Sequence, residues 1–260
     1  MEREIREFIL SLGVDDVGFA SVVDYNSPTS YEITKFLPDA RSIIVLAFRV
    51  LSSCESPSLS VALNGYLDLS AFVRESSYRV ARVLESKFGA KVATIPLSYP
   101  YEIHNDRKAI ADFSQRHAAV AAGLGTFGRN NLVIHPRFGT RVNFISIVTN
   151  LTLQPSTKPN EDFCIHCNLC VENCPGKALE EVGKTDIMKC MAHSLPYGVR
   201  AEIKFWTQLL GGSPEENKKM LASEHYQMLR QSHHLGNQYQ CFNCMKFCPA
   251  GQFENGQTEK

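Results

Sequence analysis

Eight of the nine cysteines in this 260-residue chain lie between residues 164 and 248, and their spacing is regular. The first four follow the pattern C-x2-C-x2-C-x3-C-P, and the last three follow C-x2-C-x3-C-P. Three thiolates separated by two residues each can wrap one iron–sulfur cluster from a short loop. The spacing therefore predicts [4Fe–4S] clusters, with a four-thiolate zinc site as the alternative.

The number of cysteines suffices for two clusters. The run from Cys164 to Pro175 is typical of bacterial ferredoxins, in which the fourth cysteine of a run binds the other cluster. We therefore expect a crossed arrangement, with the distant Cys190 supplying the ligand that the second run lacks. The first cluster would be bound by Cys164, Cys167, Cys170 and Cys248. The second would be bound by Cys174, Cys190, Cys241 and Cys244. Cys54 is left over and is expected to be an inert thiol in a loop.

The overall composition excludes little but disfavours two kinds of partner. The 27 basic and 27 acidic residues balance, so no excess positive charge is available for a nucleic acid. The apolar run at residues 43–48 has the length of a strand and not of a membrane span. Residues 1–13 form an amphipathic helix pattern and not a signal peptide. Clustered cysteines in such a chain indicate metal binding in a reducing compartment, so we predict a cytoplasmic protein.

Residues 1–155 alternate between strand and helix patterns, which predicts an α/β (α+β) layered domain. The pattern does not fix the order of the strands in the sheet. The polar, proline-containing residues 153–162 indicate a linker, after which residues 156–260 would form a two-cluster unit with a helical insert at 191–240. The predicted strands are 16–21, 41–48, 91–97, 131–135 and 142–150. The predicted helices of the first domain are 1–12, 70–88 and 105–122, the last with Asn105 as its cap.

A glycine-rich turn at residues 123–128 connects the last of these helices to a strand. The dinucleotide-binding fingerprint has the opposite order, with the strand first, so the turn does not predict that function. Gly123 is expected to end the helix. Gly125 and Gly128 would permit a positive φ or the close approach of a flat ligand. A plain helix-to-strand turn is the alternative.

The stretch AAGLGTFGRNNLVIHPRFGT (121–140), the apolar strand after it and the two cysteine runs together resemble the epoxyqueuosine reductases. They are also similar to the core of the reductive dehalogenases. The resemblance implies a nitroreductase-like domain at residues 1–155 that holds cobalamin beside a two-cluster, ferredoxin-like domain at 156–260. It implies that the clusters reduce the cobalt. By their offset from the glycine turn, the residues expected to contact cobalamin are Asn131, Val133, Arg141 and Phe144.

The chain also departs from the resembled family. The position that matches the family's proton-donating aspartate is Ala109, and Asp106 and Asp112 would point elsewhere on the predicted helix. No catalytic residue is therefore assigned. The helical-repeat extension of some epoxyqueuosine reductases is not expected after Cys248, and the insert at 191–240 is longer than the resemblance implies. A tRNA substrate is correspondingly disfavoured.

These features predict a reductase that passes single electrons through two [4Fe–4S] clusters to a corrinoid, either its own or that of a partner protein. Two alternatives stay open: a cobalamin-dependent reductase of its own organic substrate, and a ferredoxin-like electron carrier. FMN, or no organic cofactor at all, are the alternatives to cobalamin. The expected electron donor is a low-potential ferredoxin or flavodoxin.

Several single residues have two interpretations each. His135 could bind cobalt, but a histidine satisfied by core contacts is the favoured interpretation. Tyr101 and Tyr197 are candidate proton donors, and packing roles are favoured for both. Trp206 is expected to pack against its neighbours.

Overall fold

The computed structural model describes residues 1–97, 111–236 and 240–251. A four-stranded sheet, in which every pairing is antiparallel and the strand order is β1-β2-β6-β3, forms its centre. A second sheet contains only β4 and β5. The strands are β1 (Asp16–Ser21), β2 (Ser42–Arg49), β3 (Val92–Thr94), β4 (Thr126–Phe127), β5 (Val133–Ile134) and β6 (Val142–Thr149). Every predicted strand is present, although those predicted at 131–135 and 91–97 are only two and three residues long.

Strand β2 shows why the central sheet is covered on both faces. Its residues Ser42–Phe48 are all buried, and their side chains alternate between two hydrophobic clusters. Ile43 and Val45 face one cluster, while Ile44 and Leu46 face the other. Since side chains in a strand alternate between the two faces, an uninterrupted apolar run requires a helical layer on each side.

Two helices cover one face of the sheet and a third covers the other. Helix α1 (Glu2–Ser11) contributes Ile5 and Ile9 to the first face, together with the long helix α2 (Leu59–Phe88). Helix α3 (Gln115–Ala121) packs its alanines on the opposite face. The predicted α/β fold class is confirmed, and α2 begins eleven residues before the predicted start at residue 70.

The third helix, predicted at 105–122, is wrong over residues 111–114. Residues 111–114 are not helical, and α3 begins at Gln115. The Ser114 hydroxyl accepts a hydrogen bond from the backbone N–H of His117, which is the usual way in which a serine starts a helix. Asp112 is therefore not on a helix, while Asn105, Asp106 and Ala109 lie outside the described residues.

The second unit is built from short helices joined by irregular chain. One of these helices begins at Pro214 with a capping box formed by Ser213 and Glu216. In the helical insert Leu229 is buried, whereas Leu221 is exposed. The helices are α4 (Leu169–Glu172), α5 (Ile187–Ser194), α6 (Val199–Gly211), α7 (Pro214–Leu221), α8 (Glu224–Leu235) and α9 (Asn243–Lys246).

The predicted linker is fixed to the sheet. Ser156 donates its backbone N–H to the carbonyl of Phe19 at 2.8 Å, and its hydroxyl accepts the Phe19 N–H at 2.9 Å. Ser156 therefore lies along the edge of β1, and the chain enters the cysteine-rich unit from this point. Within the part of the chain that the structure describes, no helix combines the length and the hydrophobicity that crossing a membrane requires.

Candidate metal centre

Four cysteines of the first predicted cluster line one cavity. Cys164, Cys167 and Cys170 come from the loop that leads into α4, and Cys248 follows α9. Cys170 is buried and Cys167 is exposed, so the cavity extends from the interior to the surface. We call these four residues the first quartet. They are the set that the crossed arrangement predicts, and their assignment as ligands stays a prediction.

The other four cysteines form a second group, which we call the second quartet. Cys241 and Cys244 flank the start of α9, Cys190 lies on α5, and Cys174 follows α4. Cys190 and Cys174 lie close enough to Cys241 and Cys244 to contribute to the raised pKa of both thiols. Cys170, a member of the first quartet, also contributes to the raised pKa of Cys244. The two quartets are thus neighbours.

The thiols of both quartets require a positive partner if they are to ionise. Burial, together with the charges of Cys190 and Cys241, raises the pKa of Cys244 to about 12. Burial, followed by repulsion from Cys248 and Cys164, likewise raises the pKa of Cys170. Crowded and buried thiolates repel one another, and iron removes that repulsion by binding them in the deprotonated form. The donor set therefore fits iron–sulfur clusters.

Backbone N–H groups approach one sulfur of each quartet. The N–H of Arg129 donates to Cys164 Sγ at 3.3 Å, and the N–H of Ala178 donates to Cys174 Sγ at 3.3 Å. Hydrogen bonds to cluster sulfurs stabilise the more negative, reduced state and so raise the reduction potential. The glycine turn contributes to the site through the first of these bonds, because Arg129 directly follows Gly128.

The side chain of Arg129 gives a second indication that a negative group belongs in the first quartet. Arg129 lines the same cavity as these cysteines. Its Nη2 donates to the carbonyl of Glu180 at 3.4 Å, whereas Nε and Nη1 are buried and have no hydrogen-bond partner among the described residues. Buried guanidinium nitrogens without partners are costly, and a cluster with net negative charge would compensate them.

Neither quartet has the geometry of a site for a single metal ion. Within residues 1–97, 111–236 and 240–251, no three His, Cys, Asp or Glu side chains converge closely enough to hold one metal ion. A [4Fe–4S] cage instead binds each thiolate to a different iron, around the outside of the cage.

Residues of the first unit bring the last cysteines to the site. We call residues 241–251 the C-terminal cysteine segment. Asn130 Nδ2 donates to the carbonyl of Cys244 at 3.0 Å, and the Thr140 hydroxyl donates to that of Met245 at 3.2 Å. Tyr66 of α2 stacks on Phe242 with ring centroids 3.8 Å apart. Sequence patterns gave no signal for these three contacts, because each joins residues more than 100 positions apart.

The four residues predicted to contact cobalamin do not share one open surface. Val133 and Phe144 are 3% and 6% exposed and belong to the hydrophobic cluster under α3. Arg141 is 2% exposed and binds protein groups. Asn131 is half-buried in a left-handed conformation and donates Nδ2 to the Thr185 hydroxyl at 3.4 Å. These contacts give the pocket no support, and the assignment stays a prediction.

The glycine turn approaches protein atoms instead of leaving a bare surface. Gly123 follows the helix C-cap and has a φ of +75°, as expected for a residue that ends a helix. A Cβ there would lie 2.5 Å from the carbonyl oxygen of Thr157, and one on Gly125 would lie 2.3 Å from that of Ile134. Gly128 is likewise close to Ile134. The turn thus packs the cysteine-rich unit against the sheet.

His135 is satisfied by the protein, as the favoured interpretation predicts. It is 1% exposed, its Nδ1 accepts the backbone N–H of Arg137 at 3.2 Å, and its Nε2 lies 3.2 Å from Asp16 Oδ2. With Nδ1 accepting, the ring carries its proton on Nε2 and donates it to Asp16. Burial alone would raise the pKa of Asp16, but the hydrogen bonds from His135 and from the N–H of Val17 outweigh it and lower that pKa.

The remaining candidates have structural surroundings. Cys54 is buried near Tyr66, and burial raises the pKa of its thiol, consistent with an inert residue. The carbonyl of Tyr197 accepts a hydrogen bond from His233 Nε2 at 3.1 Å. Trp206 packs edge-on against Phe205 but is 42% exposed, so its predicted packing is only partial. Tyr101 lies outside the described residues.

Comparisons with known proteins agree with this architecture. Residues 157–180 match the Fer4 family, described as a 4Fe-4S binding domain. The epoxyqueuosine reductase of Bacillus cereus is 26% identical over 275 residues, which cover 96% of this chain and 64% of that protein. The chain is homologous to the epoxyqueuosine reductases. The resemblance predicted from the glycine turn and the cysteine runs is thereby confirmed.

Solved structures show the same fold. A crystal structure of epoxyqueuosine reductase with an epoxyqueuosine-modified tRNA stem loop has a TM-score of 0.63 at 21% identity, over 98% of this chain and 66% of that one. A reductive dehalogenase, whose structure suggests a mechanism for B12-dependent dehalogenation, has a TM-score of 0.55 at 16% identity, over 93% of this chain and 37% of that one. The chain spans just under two thirds of the Bacillus cereus relative.

Proposed function

We propose that this protein is an iron–sulfur oxidoreductase that passes single electrons through two [4Fe–4S] clusters to a corrinoid. The observation that carries the proposal is the pair of adjacent cysteine quartets, one lining a cavity and the other beside it. Each cluster, when bound, accepts and donates one electron. Two neighbouring clusters shorten each electron-transfer step, and the buried thiolates keep the potentials low.

The first quartet is the better placed to receive electrons. Cys167 is exposed, and the apolar residues Ile165 and Leu169 around it are 71% and 38% exposed. An exposed thiolate with an apolar rim suits brief docking of a small electron carrier, since weak redox complexes bury little surface. A low-potential ferredoxin or flavodoxin is the donor that we propose. The balanced charge of the chain gives no support for a nucleic-acid partner.

The corrinoid is the proposed acceptor because one of the structural neighbours is a dehalogenase with a suggested B12-dependent mechanism. Three of the four residues predicted to bind it on this chain are buried in protein contacts. The chain's own contribution is therefore assigned only to the two quartets and the N–H groups that point at their sulfurs. Cobalt analysis of the purified protein tests whether the corrinoid is bound on this chain.

Anaerobic purification followed by iron, sulfide and cobalt analysis tests the first part of the proposal. We expect about eight irons and eight sulfides per chain, as two cubane clusters require. Cob(II)alamin is then added to the dithionite-reduced and desalted protein. Conversion to cob(I)alamin, followed in the visible spectrum, supports corrinoid reduction. Clusters that reoxidise without any change in the cobalamin spectrum would leave an electron carrier of the ferredoxin type.

Reduction of an organic substrate is the second candidate, since the relatives are named epoxyqueuosine reductases. Ala109, the position expected to match the family's proton donor, lies outside the described residues. If this function holds, the unmodified protein should turn over epoxyqueuosine or a halogenated phenol with added cobalamin. If only the acid is missing, Ala109→Asp should gain that activity, whereas the neighbouring Ala111→Asp should not. Failure of all three proteins to react would favour electron delivery.

A further inference from the structure

Arg141 binds the C-terminal cysteine segment on both sides of Cys248. Its Nη1 donates to the carbonyls of Cys248 at 3.0 Å and Ala250 at 3.4 Å, and its Nη2 donates to that of Lys246 at 2.8 Å. The side chain is 3% exposed. A guanidinium presents its donors in a rigid plane. One side chain can therefore hold the carbonyls of every second residue from 246 to 250.

Glu55 holds the other edge of the same guanidinium. Its Oε1 lies 2.7 Å from Arg141 Nε, and its side chain is only 15% exposed. Glu55 ends the short helical turn Ser52–Glu55, which packs against α2. A buried charge is tolerated only with a partner, so the carboxylate both neutralises Arg141 and aims it at the segment.

The backbone next to Arg141 shows the same close approach independently. Gly139 has a φ of +56°, and a Cβ there would lie 1.8 Å from the carbonyl oxygen of Ala250. Any side chain at this position would push the segment away. Thr140 donates its hydroxyl to the carbonyl of Met245 at 3.2 Å. Residues 139–141 therefore form a continuous contact surface for residues 245–250.

We propose that Arg141 and Glu55 are positioning residues that hold Cys248 in place as the fourth ligand of the first cluster. The inference rests on the proposed ligation by the first quartet. The three other cysteines of that quartet come from one local loop, whereas Cys248 arrives from far along the chain. Completion of the first cluster thus depends on docking of the C-terminal cysteine segment on the sheet unit. This role also accounts for the burial of Arg141, which had been predicted to contact cobalamin.

The test compares Arg141→Met with the direct lesion Cys248→Ser in anaerobically reconstituted full-length protein. If Arg141 acts through Cys248, both variants leave the first cluster with three firm ligands. We expect each to lose about one iron per chain and to show a three-iron signal in the electron paramagnetic resonance (EPR) spectrum of the oxidised protein. The double variant Arg141→Met/Cys248→Ser should lose no more iron than Cys248→Ser alone. The EPR signal of the second cluster should persist in the reduced protein.

Matched variants separate positioning from general stability. Arg137→Met makes the same substitution four residues away, where the side chain is exposed and donates to the carbonyl of Asp15. It should retain both clusters. Arg141→Lys keeps the charge but not the planar fork, so it should restore part of the four-iron signal. Glu55→Gln keeps the shape of the partner and should show a smaller iron loss than Arg141→Met.

Two results would overturn the inference. One is an Arg141→Met protein with full iron content and unchanged spectra while Cys248→Ser loses iron; this would leave the proposed function intact. The other is loss of both clusters from Arg141→Met with a melted sheet unit by circular dichroism, while Glu55→Gln keeps both clusters. If Cys248→Ser itself retains two intact four-iron clusters, the assignment of the first quartet fails instead.

Discussion

Residues 1–153 and residues 156–251 differ in the amount of apolar surface that they bury. The first unit has a large hydrophobic cluster on each face of its sheet. Among the described residues, the second unit contributes only five to the buried apolar set: Cys170, Ala178, Leu179, Phe205 and Leu229. Hydrophobic burial is the main stabilising force of a domain, so the first unit can be stable without ligands. The second unit is expected to depend on its contacts with the first and on the proposed metal–thiolate bonds.

The contrast explains where the two units touch. The second unit is anchored at its beginning by Ser156 on β1 and at its end by Arg141 on the C-terminal cysteine segment. Between these anchors, α6 exposes an apolar stripe that includes Val199, Ile203 and Leu210. In a unit with so little core, the proposed metal–thiolate bonds and the two anchors would supply the order that hydrophobic packing does not.

Removal of iron should produce the largest difference in stability between the two units. Treating the reduced protein with a strong chelator deletes the metal bonds but no hydrophobic contact. We expect amide hydrogens in residues 163–251 to lose protection, whereas those of β1, β2 and β6 stay protected. Hydrogen exchange with mass spectrometry measures this directly. Equal loss of protection in the two units would show that they are stabilised as one cooperative body.

Replacing a single cysteine should distinguish the two clusters of the second unit from each other. Cys190→Ser removes one ligand of the second quartet, and we expect iron content to fall by up to about half while the first cluster's EPR signal remains. Cys54→Ser is the matched control, because Cys54 is buried in the first unit and belongs to neither quartet. Iron loss from Cys54→Ser, or none from Cys190→Ser, would contradict the assignment.

A core substitution should act on the first unit. Leu46 is fully buried in β2, and Leu46→Ala should lower the free energy of unfolding by about 2–5 kcal/mol. Leu210→Ala in α6 is the control, since Leu210 is 86% exposed and should change stability by less than about 0.5 kcal/mol. Urea unfolding followed by circular dichroism gives both values. Similar losses would mean that the α6 stripe is covered by a partner surface in solution.

The smallest expected effect concerns the pH dependence of the sheet unit. Asp16→Asn removes the charged acceptor of His135 and should cost about 1 kcal/mol at neutral pH. Because the pKa of Asp16 is lowered in the fold, its contribution is fully present above the ordinary carboxyl value of 3.8 and is lost as the pH falls through the folded value. The difference between the two proteins should therefore stay constant from pH 8 to about pH 5. If the difference in stability between the two proteins disappears within this pH range, the ionised Asp16 carboxylate is not the group that stabilises the fold.

Much of the local structure could be predicted from the sequence. Alternation and apolar runs located β1, β2 and β6, because side-chain periodicity is a local property of the chain. The capping box at Ser213 is likewise a local feature, because Glu216 follows the serine by three residues. The start of α3 was not, since the cap at Ser114 competes with an equally plausible upstream asparagine and only the packing of the chain selects between them.

The identities and spacings of the cysteines predicted [4Fe–4S] binding by themselves, because thiolates two residues apart can reach one cage whatever the fold around them, and the Fer4 match at residues 157–180 supports it. Only the tertiary structure decided the strand order, the burial of Val133 and Phe144, and the partners of Arg141. Those features join residues far apart in sequence. Their energies come from packing and hydrogen bonds that form only when the sheet unit and the C-terminal cysteine segment meet.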